Sequence, residues 1–212
     1  MLKYRRRYWL FAAALSMLAG FADANAFVYL GGYFVSFMSG NSTRLGVGLA
    51  SHLDAARLAG GLIAIFVLGV IFGALINRRG DHTGGVRVLA SVTGLLALAA
   101  LLASMSAPGI AIALLATAMG AMNGVFVREG EVSIGVTYMT GTLVRMGQRM
   151  AAALTGGNRW DWAPYALLWS GLVAGATFGA LIYGWIGLQS LWLAAAFAAL
   201  LTIVLSKMPA AG

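Results

Sequence analysis

Long apolar stretches constrain this chain more than any other feature of it. A helix needs about 20 mostly apolar residues to cross the roughly 30 Å hydrocarbon core of a bilayer. Six segments meet that need: Trp9–Leu30, Leu58–Ile76, Val86–Met105, Ile110–Val127, Trp162–Trp185 and Leu188–Leu205. None shows the alternating pattern, over about ten residues, of a membrane barrel strand. The rest of the sequence cannot coat a water-soluble fold, since 61% of the 212 residues are hydrophobic and 9% charged, against about 25% charged in soluble domains. Cysteine is absent, which excludes a disulfide scaffold. The chain reads as an all-α membrane protein, one transmembrane domain over 1–212 in contact with the lipid bilayer.

The formal charge of +8 takes its meaning from where the bases lie. Cytoplasmic loops of membrane proteins are enriched in Lys and Arg. Lys3, Arg5, Arg6 and Arg7 precede the first span, Arg78, Arg79 and Arg87 follow the second, and Arg128, Arg145, Arg149 and Arg159 follow the fourth. With six spans and both termini cytoplasmic, twelve of the fourteen bases lie inside and only Arg44 and Arg57 outside. The bases are thereby explained as orientation signals, and nucleic acid is not an expected partner. Ala22-Asp23-Ala24-Asn25-Ala26 after a basic and apolar run is similar to a leader cleavage site. The first span nevertheless has an internal counterpart and is expected to be permanent.

That counterpart belongs to an internal repeat. Gly69–Ile76 and Gly175–Ile182 are identical at six of eight positions, 106 residues apart. Met38-Ser-Gly-Asn-Ser-Thr-Arg-Leu-Gly46 and Met139-Thr-Gly-Thr-Leu-Val-Arg-Met-Gly147 share Met, Gly, Arg and Gly at one spacing, 101 residues apart. The two copies, about 8–106 and 108–207, hold three spans each, and an odd number places them upside down relative to one another. Inverted repeats of this kind are a recurring plan of secondary transporters, whose two halves exchange conformations. A 3+3 inverted repeat is also the plan of half of a major facilitator transporter. By that analogy two copies of the chain would make a twelve-span homodimer.

Polar groups inside apolar segments mark candidate sites, because an ionised side chain at helix centre costs about 2.5–3.5 kcal/mol on insertion scales. Asp23 is the one acid of six well within an expected span. It is a candidate for proton or cation coupling or for substrate hydrogen bonding; the plainer alternative is an interhelix bond to Asn123 or a serine. Asn25 and Asn123, the latter 100 residues beyond Asp23, join it on the expected substrate or proton pathway. The segments 31–54 and 128–160 are too long and apolar for simple connectors. Gly31-Gly32 permits a break in the first helix, and irregular backbone at membrane depth survives only when buried in protein or lining a cavity. A broken helix or re-entrant turn is therefore expected in each, presenting Ser39, Asn41, Thr140 and Thr142, with Gly40 and Gly141 serving conformation. Arg44 and Arg145 suit anion attraction or a gate ion pair, or simple interfacial anchoring. Arg128, Glu129 and Glu131 form a charged group read as a solvated loop or as a gate partner of Arg145 or Arg149. GxxxG spacings such as Gly69/Gly73, Gly120/Gly124 and Gly175/Gly179 predict close helix packing. His52 and His82 are distant in sequence and make no expected metal site. No phosphate loop, HExxH or nucleophile elbow occurs, so neither an enzyme nor a cofactor is expected.

Gly20-Phe-Ala-Asp23-Ala with Phe34–Gly46, and Met119-Gly120-Ala-Met-Asn123 with Thr137-Tyr138-Met139-Thr140-Gly141-Thr142, resemble the bacterial YoaK-like family. Its members are six-span membrane proteins of unknown function, often described as permeases. The resemblance covers nearly the whole chain; Ser39-Gly40-Asn41 stands where the family usually has threonine-glycine-asparagine. It implies a bacterial inner-membrane protein and names no substrate. The leading functional expectation is a secondary transporter of a small solute, proton-coupled through Asp23. A channel and a non-transporting membrane subunit are the alternatives.

Overall fold

The computed structural model describes residues 6–128, 131–132 and 134–209; Lys3, Arg5 and Glu129 lie outside the described residues. Among the described residues eight α-helices follow one another: α1 Arg6–Leu30, α2 Met38–Ser51, α3 Leu53–Ile76, α4 His82–Ser104, α5 Pro108–Met122, α6 Met139–Leu154, α7 Ala163–Ile186 and α8 Leu191–Lys207. Between α5 and α6 the two-residue strands Val127–Arg128 and Glu131–Val132 pair antiparallel, with Arg128 opposite Glu131.

Local chemistry sets the helix ends. Pro108 opens α5 and Pro164 lies in the first turn of α7, where the missing N–H costs no helical bond. Asp81 caps α4 by accepting from Gly84 N–H. α1 stops at Gly31 and Gly32, whose φ values of +68° and +109° are closed to most side chains. The fourth expected span, Ile110–Val127, is corrected by the structure, since α5 ends at Met122. There Asn123 N–H bonds Gly120 O at 3.2 Å, and the Asn123 side chain takes Met119 O at 3.1 Å. The carbonyl that a continuing helix would offer to the backbone is thus given to a side chain.

Four stretches are long and apolar enough to cross a membrane: α1, α3, α4 and the 45 residues of Ala163–Lys207. At 1.5 Å per residue the last would measure about 68 Å if straight, more than twice the hydrocarbon core. It is not straight. Gly187, at φ +57°, ends α7, and a 3-10 turn over Gly187–Ser190 leads into α8. Phe178 and Ile182 of α7 line the same 300 Å³ cavity as Leu193 and Phe197 of α8, so the chain doubles back. α5, at 15 residues, is apolar but shorter than these.

α1 packs chiefly on α7, and α5 on α3 and α4; α2 lies along α3, α6 along α7, and α4 against α8. Two glycine seams draw these helices together. A Cβ on Gly20 would collide with Leu172 O and the Ala176 backbone, and one on Gly175 with Met17 O. On the other side, a Cβ on Gly120 would collide with Phe66 O and the Val70 backbone, and one on Gly69 with Thr117 O. Each contact in the first seam recurs in the second between residues 100 positions along α1 and α5 and 106 along α3 and α7. Lipid is as apolar as leucine, so close backbone packing of small residues is what associates helices in a membrane.

Candidate functional site

The site is built where the chain interrupts its helices. After Gly31-Gly32 the backbone turns back along α1 and lays an irregular segment, residues 33–37, against it. Asp23, only 8% exposed, receives this segment. Its Oδ1 accepts Val35 N–H at 2.8 Å and Ser36 N–H at 2.7 Å, and its Oδ2 accepts the Ser36 hydroxyl at 2.5 Å. Asn41, in the first turn of α2, completes the arrangement: its Oδ1 accepts Phe34 N–H at 3.1 Å and its Nδ2 donates to Phe34 O at 2.7 Å. The backbone groups of Phe34 are thereby paired as a neighbouring strand would pair them. Gly40 stays bare because a Cβ would press on the Phe37 ring at 2.7 Å, and Phe37 meets Phe34 edge-to-face at 5.1 Å.

A second break follows α5. Asn123, also buried, accepts the Thr137 hydroxyl at 3.0 Å, and Ser16 of α1 donates to Val136 O at 3.0 Å. Ser36 and Thr137 lie 101 residues apart, as do the Met38 and Met139 motifs. Asp23 with Ser36 and Asn123 with Thr137 are therefore corresponding pairs, each tying a helix end to the break that follows it. Asp23 has no hydrogen bond to Asn123 among those described; its side-chain partner is a serine.

The two breaks meet between two cavities. The larger, about 660 Å³, lies against α1 and α7 and includes Asp23, Ser36, Thr137 and Thr140 among the rings of Phe27, Phe34 and Phe37. The smaller, about 250 Å³, is bounded by Ser36–Ser39, by Thr137–Gly141 and by Phe66 of α3. Both α2 and α6 begin beside it with no side-chain cap, and their first N–H groups, those of Met38 and Met139, bond Ser36 O and Thr137 O at 3.1 Å. What the arrangement offers is a few hydroxyls among aromatic and apolar walls. Such a site suits a small neutral or weakly polar solute.

The structure gathers Asp23, Ser39, Thr140 and Gly141 around these cavities. Asn41 and Thr142 stand behind them, buried and turned onto backbone, with the Thr142 hydroxyl on Tyr138 O at 3.0 Å. Asn25 does not join them. It donates to Phe21 O at 2.9 Å and accepts the Ser190 hydroxyl, because residues two apart on a helix point to different faces. Arg44 covers the glycine reversal, with its guanidinium 4.7 Å from the Tyr33 ring centre. Arg145 is exposed on α6. Among the described residues the ion pairs are Arg57–Asp54 at 3.2 Å and Arg149–Asp161 at 3.6 Å; the expected gate partners of Arg145, Glu129 and the side chain of Glu131, lie outside the described residues. The residues that sequence reasoning passed over as site residues include Ser36, Thr137 and the three phenylalanines. Extending the methionine motif upstream exposes the first: Val35-Ser36-Phe37-Met38 aligns with Val136-Thr137-Tyr138-Met139.

Comparison with known proteins places the chain in a family. A model of the family described as "Protein of unknown function (DUF1275)" matches residues 11–204. The chain belongs to the DUF1275 family. It is 38% identical over 199 residues to the UPF0700 transmembrane protein RA0705 of Rhizobium meliloti strain 1021, covering 93% of this chain and 85% of that one. The family match includes most of α1, all of α2 to α7 with both breaks, and most of α8. No solved structure matches the chain. Family membership and the apolar helices together make this a multi-pass membrane protein.

Proposed function

We propose that the chain is a secondary transporter that moves a small solute across the bacterial inner membrane by alternating access, in line with its YoaK-like, permease-like resemblance. In this reading α1, α3, α4, α5, α7 and α8 cross the membrane, α2 and α6 are half-helices that begin near its centre, and both termini are cytoplasmic. The two halves are inverted repeats, each a broken helix followed by a half-helix and two crossings. The observation that carries the reading is the contrast between matching glycine seams and unequal cavities. Corresponding residues make the same close contacts in both halves, yet one side of the breaks encloses about 660 Å³ and the other about 250 Å³. Alternating access consists in exchanging such an inequality between the two faces.

The absence of cysteine gives a direct test. Ala24→Cys places a thiol in the larger cavity and Ser39→Cys one in the smaller. Labelling by a membrane-impermeant thiol reagent is measured in right-side-out and inverted vesicles. Exchange predicts that each position is reached from one face, and that conditions slowing one reaction speed the other. Simultaneous labelling of both positions from both faces favours a channel. Unchanging labelling with no solute flux in liposomes favours a membrane subunit without transport of its own. For coupling, an Asp23→Asn variant that inserts but loses pH-dependent flux supports a proton role, and full pH-dependent flux removes it. Single-particle mass in nanodiscs tests whether two copies assemble.

A further inference from the structure

The bases at the α3–α4 end were explained above as orientation signals, which accounts for their number and not for their convergence. Arg78 and Arg79 follow α3, Arg87 lies in the second turn of α4, and the three line one cavity of about 500 Å³ with Leu75 and Ile76. No carboxylate neutralises them: the ion pairs of the described residues involve other arginines. Asp81, the acid nearest in sequence, is engaged as the cap of α4. Among the described residues the three guanidiniums make one hydrogen bond, a long one from Arg87 Nε to Thr83 O at 3.4 Å. Three like charges facing one space repel each other, and an anion between them relieves that repulsion.

The surroundings specify the anion further. Leu75 is 60% exposed and continues a stripe of exposed Leu68, Ile71 and Phe72 along α3, a surface suited to acyl chains in a spanning helix. A group that is anionic at the arginines and apolar along α3 fits this junction, and the planar guanidinium pairs with phosphate oxygens in a bidentate manner. We infer that the Arg78, Arg79 and Arg87 cavity is a binding site for a phosphate group, supplied by an anionic phospholipid headgroup or by free phosphate. Basic pockets between helices at one membrane face take such headgroups elsewhere. The inference stands apart from the transport reading, because the site lies outside both central cavities.

Thermal unfolding is measured in phosphatidylcholine nanodiscs, with and without added phosphatidylglycerol, and separately with inorganic phosphate. Native mass spectrometry counts retained lipid. Each arginine near an anionic surface is worth roughly fivefold in affinity, so the R78Q/R79Q/R87Q variant should bind roughly a hundredfold more weakly. The R57Q variant, which removes a charge expected at the other face, should bind as the wild type does. Stabilisation by phosphatidylglycerol alone assigns the lipid, and equal stabilisation by inorganic phosphate assigns the free ion. No stabilisation of the wild type by either, or a loss in R57Q equal to that in R79Q, overturns the site. If the triple variant fails to fold, R79Q alone should show the fivefold loss, and unchanged binding there also overturns it.

Discussion

Asp23→Ala is the sharpest perturbation of the first break. The carboxylate accepts from two backbone N–H groups and one hydroxyl, those of Val35 and Ser36, and both residues are buried. Alanine leaves all three donors without a partner, at about 1–3 kcal/mol for each orphaned buried group. The neighbouring cavity admits water that offsets part of this, so the lower bound of about 3 kcal/mol is the appropriate figure. At tenfold per 1.4 kcal/mol, local opening becomes roughly a hundredfold more frequent. Asparagine behaves differently. It keeps an oxygen facing the two N–H groups and can donate its amide to the Ser36 hydroxyl, so only charge assistance is lost. Relief of a buried charge compensates in part, and the expected increase stays under about tenfold. Hydrogen–deuterium exchange of the peptide covering 33–37, read by mass spectrometry in detergent, measures the opening. A peptide from the α4–α8 contact serves as reference, since global unfolding would accelerate both. Unchanged exchange at Val35 and Ser36 in Asp23→Ala, with the reference peptide protected, would refute the role given to the carboxylate.

The remaining expectations concern packing and the second clamp. Gly20→Ala and Gly120→Ala drive a methyl group into the backbone of α7 and α3 respectively and should each cost about 1–3 kcal/mol. Gly94→Ala, in open space on α4, should instead gain about 0.5–1 kcal/mol; thermal unfolding in one detergent compares the three. Asn41→Ala removes both partners of Phe34 and should accelerate exchange over 33–37 while leaving α4 and α8 protected. Asp161→Asn breaks the partly exposed 3.6 Å pair with Arg149 and should shift stability by less than about 1 kcal/mol, with little dependence on salt.

The apolar segments were legible in the sequence because bilayer thickness dictates their length, and the break after α1 because two consecutive glycines announce it. The burial of Asp23 followed from its place in an apolar run. What escaped detection depends on direction. Asn25 is two residues from Asp23 and looks equivalent in one dimension, yet helical geometry turns it to Ser190. α5 looked long enough to reach Val127, because Val125, Phe126 and Val127 are as apolar as the helix before them. Its end is decided by the Asn123 side chain competing for Met119 O, which hydropathy does not register. Arg44 and Arg145 matched in the repeated motif, but one lies over an aromatic ring and the other is exposed on α6. Ser36 and Thr137 were overlooked because small hydroxyl residues are ordinary in apolar segments; only their common offset set them apart.

The inequality of the two cavities has two conceivable sources, side-chain bulk and backbone position. The α7 residues along the larger cavity include Leu172, Ala176 and Thr177. The residues 106 positions earlier on α3 are Phe66, Val70 and Ile71. The α3 set is larger by three, two and one heavy atoms in turn. Of these only Phe66 lines the smaller cavity, so α3 brings extra bulk to it at one position. Along α1 the difference runs the other way, since Ala24 and Phe27 beside the larger cavity correspond to the smaller Gly124 and Val127. Side-chain bulk thus does not run in one direction, and the placement of the two breaks enters beside it. Side-chain bulk is permanent, whereas placement is held by a few hydrogen bonds to Asp23, Asn41, Asn123 and Ser16. On the proposed transport reading, these are the bonds that a bound solute or a proton would have to exchange for the two cavities to trade sizes.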